Sequence, residues 1–162
     1  EDIYTMGGLQ ATGDDYFQSN LFTVARKRVM WLLVLLITNT LTSTVIRSQE
    51  DVLEQVVTLA AFIPLLIDAG GNVGAQSSTV VIRGLNVQEI HLKRVLWVVQ
   101  REAIAGLLLG TMLGVAVFVW ATILQGDPLV AIAVGLSLFA ISILASVAGS
   151  ALPFLFRSFG LD

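Results

Sequence analysis

The chain contains no cysteine in its 162 residues. Disulfides, thiol nucleophiles and zinc–thiolate sites are therefore excluded. Histidine occurs once, at His91, so a His-rich metal or haem site cannot form within one chain. Charge is scarce: 13% of the residues are Asp, Glu, Lys or Arg, against about 25% in ordinary soluble domains. The net charge of −3 is too small to name a partner. There is no phosphate loop, no dinucleotide fingerprint, no Ser/His pair within an apolar stretch and no zinc-binding helix motif, so nothing points to an enzyme. What is present is apolar: 56% hydrophobic residues and a mean hydropathy of +0.84. That balance belongs to membrane proteins.

A bilayer crossing needs roughly 20 apolar residues. Stretches of that kind lie at about 29–47, 52–83, 102–125 and 128–156. The expectation is an all-α, polytopic membrane protein with four transmembrane helices. Residues 1–28 form a connecting segment with an amphipathic, interfacial part: Tyr16, Phe17, Leu21 and Val24 recur at roughly helical spacing before Arg26-Lys27-Arg28. Residues 29–157 form the transmembrane domain, and 158–162 a cytoplasmic tail. No apolar stretch starts at the N-terminus, so none reads as a cleaved signal peptide. Lys and Arg set the orientation. One side would hold both termini and Arg26, Lys27, Arg28, Arg83, Lys93, Arg94, Arg101 and Arg157, and the other only Arg47. Both termini are therefore expected in the cytoplasm, in a multi-pass protein of the cell (inner or plasma) membrane. The basic residues are loop residues at these positions, so nucleic-acid binding is not indicated. The outer face would carry Glu50, Asp51, Glu54 and Asp127 against Arg47; this reads either as a negative mouth that concentrates cations or as ordinary solvated loop charge.

Small and polar residues within the spans give finer expectations. Thr38, Thr40, Thr42 and Thr44 can bond back to their own helix, while Asn39 needs another helix or water. Gly106, Gly110 and Gly114 recur every fourth residue, and Ser142, Ser146 and Ser150 do the same. Both stripes predict close helix contact. Gln125-Gly126-Asp127-Pro128 reads as a turn. Pro153 is expected to kink or end the last span. Residues 84–100, the link between the second and third spans, are expected to form a short amphipathic helix in which His91 is solvated.

The second span carries the candidate site. Asp68 is the one charge between Glu54 and Arg83. A carboxylate at membrane depth is costly and faces a water-filled path or a partner. Asn72 and Gln76 follow at i+4 and i+8, so a helix places all three on one stripe, which Thr79 extends. Oxygen groups of this kind suit hard cations such as Mg²⁺, which keeps several of its waters. Pro64 predicts a kink, and Gly70, Gly71 and Gly74 predict loosened backbone. Carbonyls freed at Gly70 and Gly71 could then approach a cation, since irregular backbone at membrane depth survives where it is buried or lines water. The alternative for the amides is that they tie helices together.

The run Pro64-x-x-x-Asp68-x-Gly70-Gly71-Asn72-x-Gly74-x-Gln76, continued by Ser77-Ser78-Thr79-Val80-Val81-Ile82-Arg83-Gly84-Leu85, resembles the MgtE family of magnesium channels and transporters. The resemblance extends over Arg101–Gly110 and Gly149–Phe154. It also includes Glu1–Gly8, a stretch similar to the acidic connecting ("plug") helix of that family. It implies a homodimeric pathway for Mg²⁺, with Ala69–Gln76 facing the ion path and Glu1 and Asp2 in a gating metal site. Mg²⁺ would be transported and also regulatory. The chain would start where the family's sensor domains end and stop before a fifth span that carries a pore aspartate, so it reads as a fragment. The metal-site expectation is thus Asp68, Ala69, Gly70, Gly71, Asn72 and Gln76. Transport would be passive, with Mg²⁺ and other divalent cations and the lipid bilayer as partners. The alternatives are a secondary carrier for another divalent cation and a non-conducting membrane assembly subunit.

Overall fold

A computed structural model of the chain describes residues 21–55, 57–91 and 94–158. Among them every regular element is helical: α1 (Leu21–Arg47), α2 (Glu50–Gln55), α3 (Val57–Ala60), α4 (Ile63–Asn86), α5 (Val95–Gln125) and α6 (Pro128–Ser158). Four segments are long and apolar enough to cross a membrane: Val24–Arg47, Val57–Asn86, Val95–Gln125 and Pro128–Ser158. The chain divides into two compact units, one ending at Gln55 and one starting at Val56.

In the first unit α1 is a single helix from Leu21 to Arg47, so Leu21–Arg28 runs directly into the first span. The rest of the expected N-terminal segment, with Glu1 and Asp2, lies outside the described residues. The threonine hydroxyls behave as their spacing predicts. Thr38, Thr40, Thr42 and Thr44 donate to the carbonyls of Val34, Leu36, Thr38 and Thr40, at 2.9–3.3 Å. Each hydroxyl is thereby satisfied within its own helix, which lets it sit in a hydrocarbon environment.

In the second unit α6 is the central helix. It packs along α4 on one side and along α5 on the other, while α4 and α5 scarcely meet. Gly114, Gly110 and Gly106 of α5 meet α6 at Gly135, Phe139 and Ser146 in turn, so these two helices are antiparallel. Gly70 and Gly74 of α4 meet Ile141 and Ala145, so α4 and α6 are parallel. The α5–α6 corner is two residues long. Gly126 takes φ 68°, a left-handed value that suits glycine, and its N–H closes α5 on the Thr122 carbonyl. Asp127 then caps α6, its carboxylate accepting the Leu129 N–H at 2.9 Å. Pro128 follows in the first helical position, where its missing N–H costs nothing.

Apolar clusters close the two ends of this unit. Phe62, Val117, Ala121, Val130, Ala131, Val134 and Leu138 form one. Val81, Leu85, Val98 and Phe154 form the other. Between them lies the small-residue seam of α5 and α6. Ser142, Ser146 and Ser150 are fully buried in it, and a Cβ at Gly106, Gly110 or Gly114 would lie 2.6–2.9 Å from α6. In lipid, where apolar burial gives little driving force between helices, this close approach is the main source of attraction. The tight-contact expectation for both stripes holds.

Several boundary expectations need correction. The second span does not run from residue 52, because Glu50–Gln55 is a separate short helix. The break near Pro64 falls earlier, at Ala61-Phe62, whose N–H groups bond to Thr58 and Leu59. Pro64 lies in the first turn of α4, so it starts a helix and does not kink one. Pro153 lies inside α6, which continues to Ser158. The short helix expected over 84–100 is not a separate element of that length, since α4 runs on to Asn86 and α5 already begins at Val95. There the Ile90 N–H returns to the Gly84 carbonyl at 2.9 Å, and the Ile90 side chain covers Gly84 so closely that a Cβ would overlap it. His91 is exposed in this link, as expected.

Candidate functional site

The candidate site lies on α4, and its geometry follows from which residues α6 claims. Gly70, Val73, Ser77, Val81, Gly84 and Leu85 are the buried face. Ala69 is partly buried and packs against the apolar cluster containing Phe62. On the other side Asp68, Gly71, Asn72, Ala75, Gln76, Thr79 and Arg83 are exposed. Their spacing confines them to one continuous stripe of the helix. The Asn72 side-chain amide donates to the Asp68 carboxylate at 3.1 Å. Asp68 and Asn72 thus form one hydrogen-bonded pair, with Gln76 one turn further along.

The Asp68–Gln76 part of the stripe falls in the middle of a helix long and apolar enough to cross a membrane. Gly70 reaches α6 at Ile141 and Gly110 reaches it at Phe139, so Asp68 is near the level of Gly110. The nearest charge on α5 is Glu102, about two turns or roughly 12 Å along the helix. A carboxylate, two amides and a hydroxyl at that depth cannot be left facing hydrocarbon.

The expected loosening of the backbone near Gly70 is not found. Helix α4 is continuous from Ile63 to Asn86, so the carbonyls at Ala69, Gly70 and Gly71 sit within a helical hydrogen-bond ladder. The glycines have a different reason. A Cβ on Gly70 would lie 2.5 Å from the Ile141 side chain, and one on Gly74 would touch the Ala145 carbonyl at 3.4 Å. On the α6 side a Cβ on Gly149 would overlap the Gly74 carbonyl oxygen. Tight packing against α6 therefore explains Gly70 and Gly74. Gly71 differs: its added Cβ would meet nothing within 4 Å, and it opens onto the stripe between Asp68 and Asn72.

The structure thus groups Asp68, Gly71, Asn72 and Gln76 on the exposed side and turns Ala69 and Gly70 toward α6. Sequence reading missed Arg83 at the end of the same stripe. The signal was there, since Arg83 follows Gln76 by two helical turns. Among the described residues no three His, Cys, Asp or Glu side chains come together as a metal cluster.

A family model described as divalent cation transporter, MgtE, matches residues 63–162. The chain belongs to the MgtE family. It is 36% identical over its whole length to the magnesium transporter MgtE of Thermus thermophilus, covering 36% of that protein. It is 33% identical over 94% of its length to the magnesium transporter MgtE of Bacillus subtilis, covering 34% of it. A magnesium transporter MgtE of Enterococcus faecalis is 26% identical over 96% of the chain, which again covers 34% of the relative. The chain therefore spans about a third of the length of these MgtE relatives.

Proposed function

We propose that this chain is part of the membrane domain of a magnesium transporter and that the exposed stripe of α4 lines a hydrated ion path. The observation that carries the proposal is the pairing of depth and exposure. Asp68 and Asn72 are hydrogen-bonded to each other at membrane depth, on the side of α4 that no other helix of its unit covers. Water is the environment that solvates such a face. The relatives' names supply the ion.

One carboxylate per chain is enough for this role. Mg²⁺ dehydrates reluctantly and is held through one or two carboxylates with its waters retained. Asp68 supplies the charge, while Asn72 and Gln76 bond to the waters of the passing ion. Gly71 leaves room beside them because it has no side chain. The backbone carbonyls at Ala69–Gly71 are engaged in the helix, so coordination falls to side chains and water. A path with one lined wall needs a second wall, and a second copy of the chain related by a two-fold axis would present the same stripe opposite the first. Passive inward flow follows from the membrane potential, which favours a divalent cation by about 4.6 kcal/mol per 100 mV. The arginine-rich end of the unit faces the cytoplasm by the positive-inside rule.

The test is Mg²⁺ uptake by the full-length protein in liposomes. Asp68→Ala is expected to abolish uptake while the protein remains folded and associated as wild type. Wild-type uptake by a folded Asp68→Ala protein would refute the proposal.

A further inference from the structure

Helix α5 carries a second unusual surface, away from the seam. Trp97, Arg101, Ile104, Leu108 and Met112 share one face of it by their spacing, Arg94 stands at its N-cap at the head of that face, and all six are exposed. The Arg101 guanidinium lies over the Trp97 ring, 5.6 Å from its centroid, within cation–π range. Neither Arg94 nor Arg101 has a carboxylate partner among the described residues. The acids nearest in sequence are Glu89, exposed in the link, and Glu102. Glu102 is about 100° around the helix from Arg101, and neither acid is ion-paired with these arginines.

The depth of this surface follows from helix length. Helix α5 has 31 residues, about 46 Å at the standard rise, while the hydrocarbon core is about 30 Å thick. Its far end is fixed by the Gly126-Asp127 corner. Counting back about 20 residues from Gln125 puts the hydrocarbon boundary close to Ala105. Arg101 then lies about 6 Å beyond that boundary and Trp97 about 12 Å beyond it, in the headgroup layer. Ile104, Leu108 and Met112 continue the same face into the hydrocarbon. Arg83 and Arg157 lie at this end too, two residues before Leu85 and three after Phe154, which share an apolar cluster with Val98 of α5.

We propose that the Arg94–Trp97–Arg101 face of α5 binds the phosphate group of an anionic phospholipid, whose acyl chain lies along Ile104, Leu108 and Met112. The ring holds the Arg101 guanidinium in place, and a guanidinium can form paired hydrogen bonds to phosphate oxygens. Arg94 adds a second positive charge two turns away on the same face. A second copy of the chain fits this face poorly, because a two-fold contact would set these arginines against their own equivalents. Free phosphate would leave the apolar half of the face unused.

The test uses the full-length protein in nanodiscs containing equal amounts of phosphatidylglycerol and phosphatidylcholine. Co-purified lipid is read by native mass spectrometry. Wild type is expected to retain phosphatidylglycerol preferentially. The preference should fall about five-fold for each arginine removed in Arg94→Gln and Arg101→Gln, and it should be unaffected in Arg157→Gln. Three results would overturn the proposal: an unchanged preference in the double variant, an equal loss in Arg157→Gln, or efficient thiol cross-linking of Trp97→Cys to a second copy.

Discussion

The fit of α5 against α6 gives a prediction that can be worked from distances. A methyl group at Gly110 would lie 2.8 Å from the Phe139 carbonyl oxygen and 3.2 Å from both the Phe139 Cα and the Ser142 Cβ. The first contact is about 0.6 Å inside ordinary 3.4 Å separation (3.4 − 2.8). The obstruction is backbone, so no side-chain rotation relieves it and the helices must part. A gap of 0.5–1 Å forfeits about a quarter to a half of each dispersion contact along the seam, and overpacking of this kind costs about 1–3 kcal/mol. Gly71 provides the reference, because its added methyl would meet nothing within 4 Å. Both substitutions gain the same helix propensity, about 1 kcal/mol, so the difference between them isolates the steric cost. Gly110→Ala should be less stable than Gly71→Ala by about 1–3 kcal/mol in equilibrium unfolding of the full-length protein in one detergent. Equal stabilities within about 0.5 kcal/mol would refute the packing argument.

Two further outcomes are expected. Asp127→Ala removes the side chain that accepts the Leu129 N–H, and should lower stability in the same unfolding assay by about 1 kcal/mol without changing the ion selectivity of uptake. Asn72→Leu removes the donor bonded to the Asp68 carboxylate, and should lower Mg²⁺ uptake about ten-fold or more, the worth of a hydrogen bond to a charged group, while the protein stays folded.

Much of this was legible in the sequence because spacing on a helix is geometry. The glycine stripe of α5 and the serine stripe of α6 announced a seam. The i, i+4, i+8 spacing of Asp68, Asn72 and Gln76 by itself places them on one side of a helix. The threonines of α1 bond within their helix, as their chemistry requires. The misreadings have a common cause, since a residue's local tendency was allowed to decide where packing decides. Pro64 tends to break a helix, yet it costs nothing in a first turn, and position relative to Ala61-Phe62 settled the matter. Gly70 and Gly74 loosen an isolated helix, yet against Ile141 and Ala145 they are the residues small enough to fit. Which glycines serve contact and which serve space is a property of the neighbour. Gly71 and Gly70 are therefore indistinguishable in sequence and opposite in the fold. Arg83 reads by its charge as a loop residue, yet its spacing from Gln76 sets it on the α4 stripe.

The central claim is that the Asp68–Gln76 side of α4 meets water at membrane depth. The absence of cysteine from the chain makes single-cysteine labelling the direct measurement. In full-length protein whose remaining segments are also cysteine-free, Asn72→Cys and Gln76→Cys should react with a small, charged, membrane-impermeant thiol reagent, and Mg²⁺ should slow the reaction. Leu108→Cys, on the α5 face assigned above to a lipid acyl chain, should stay unreactive. If the α4 cysteines prove as inert as Leu108→Cys with and without Mg²⁺, the stripe is sealed from water and the account is wrong.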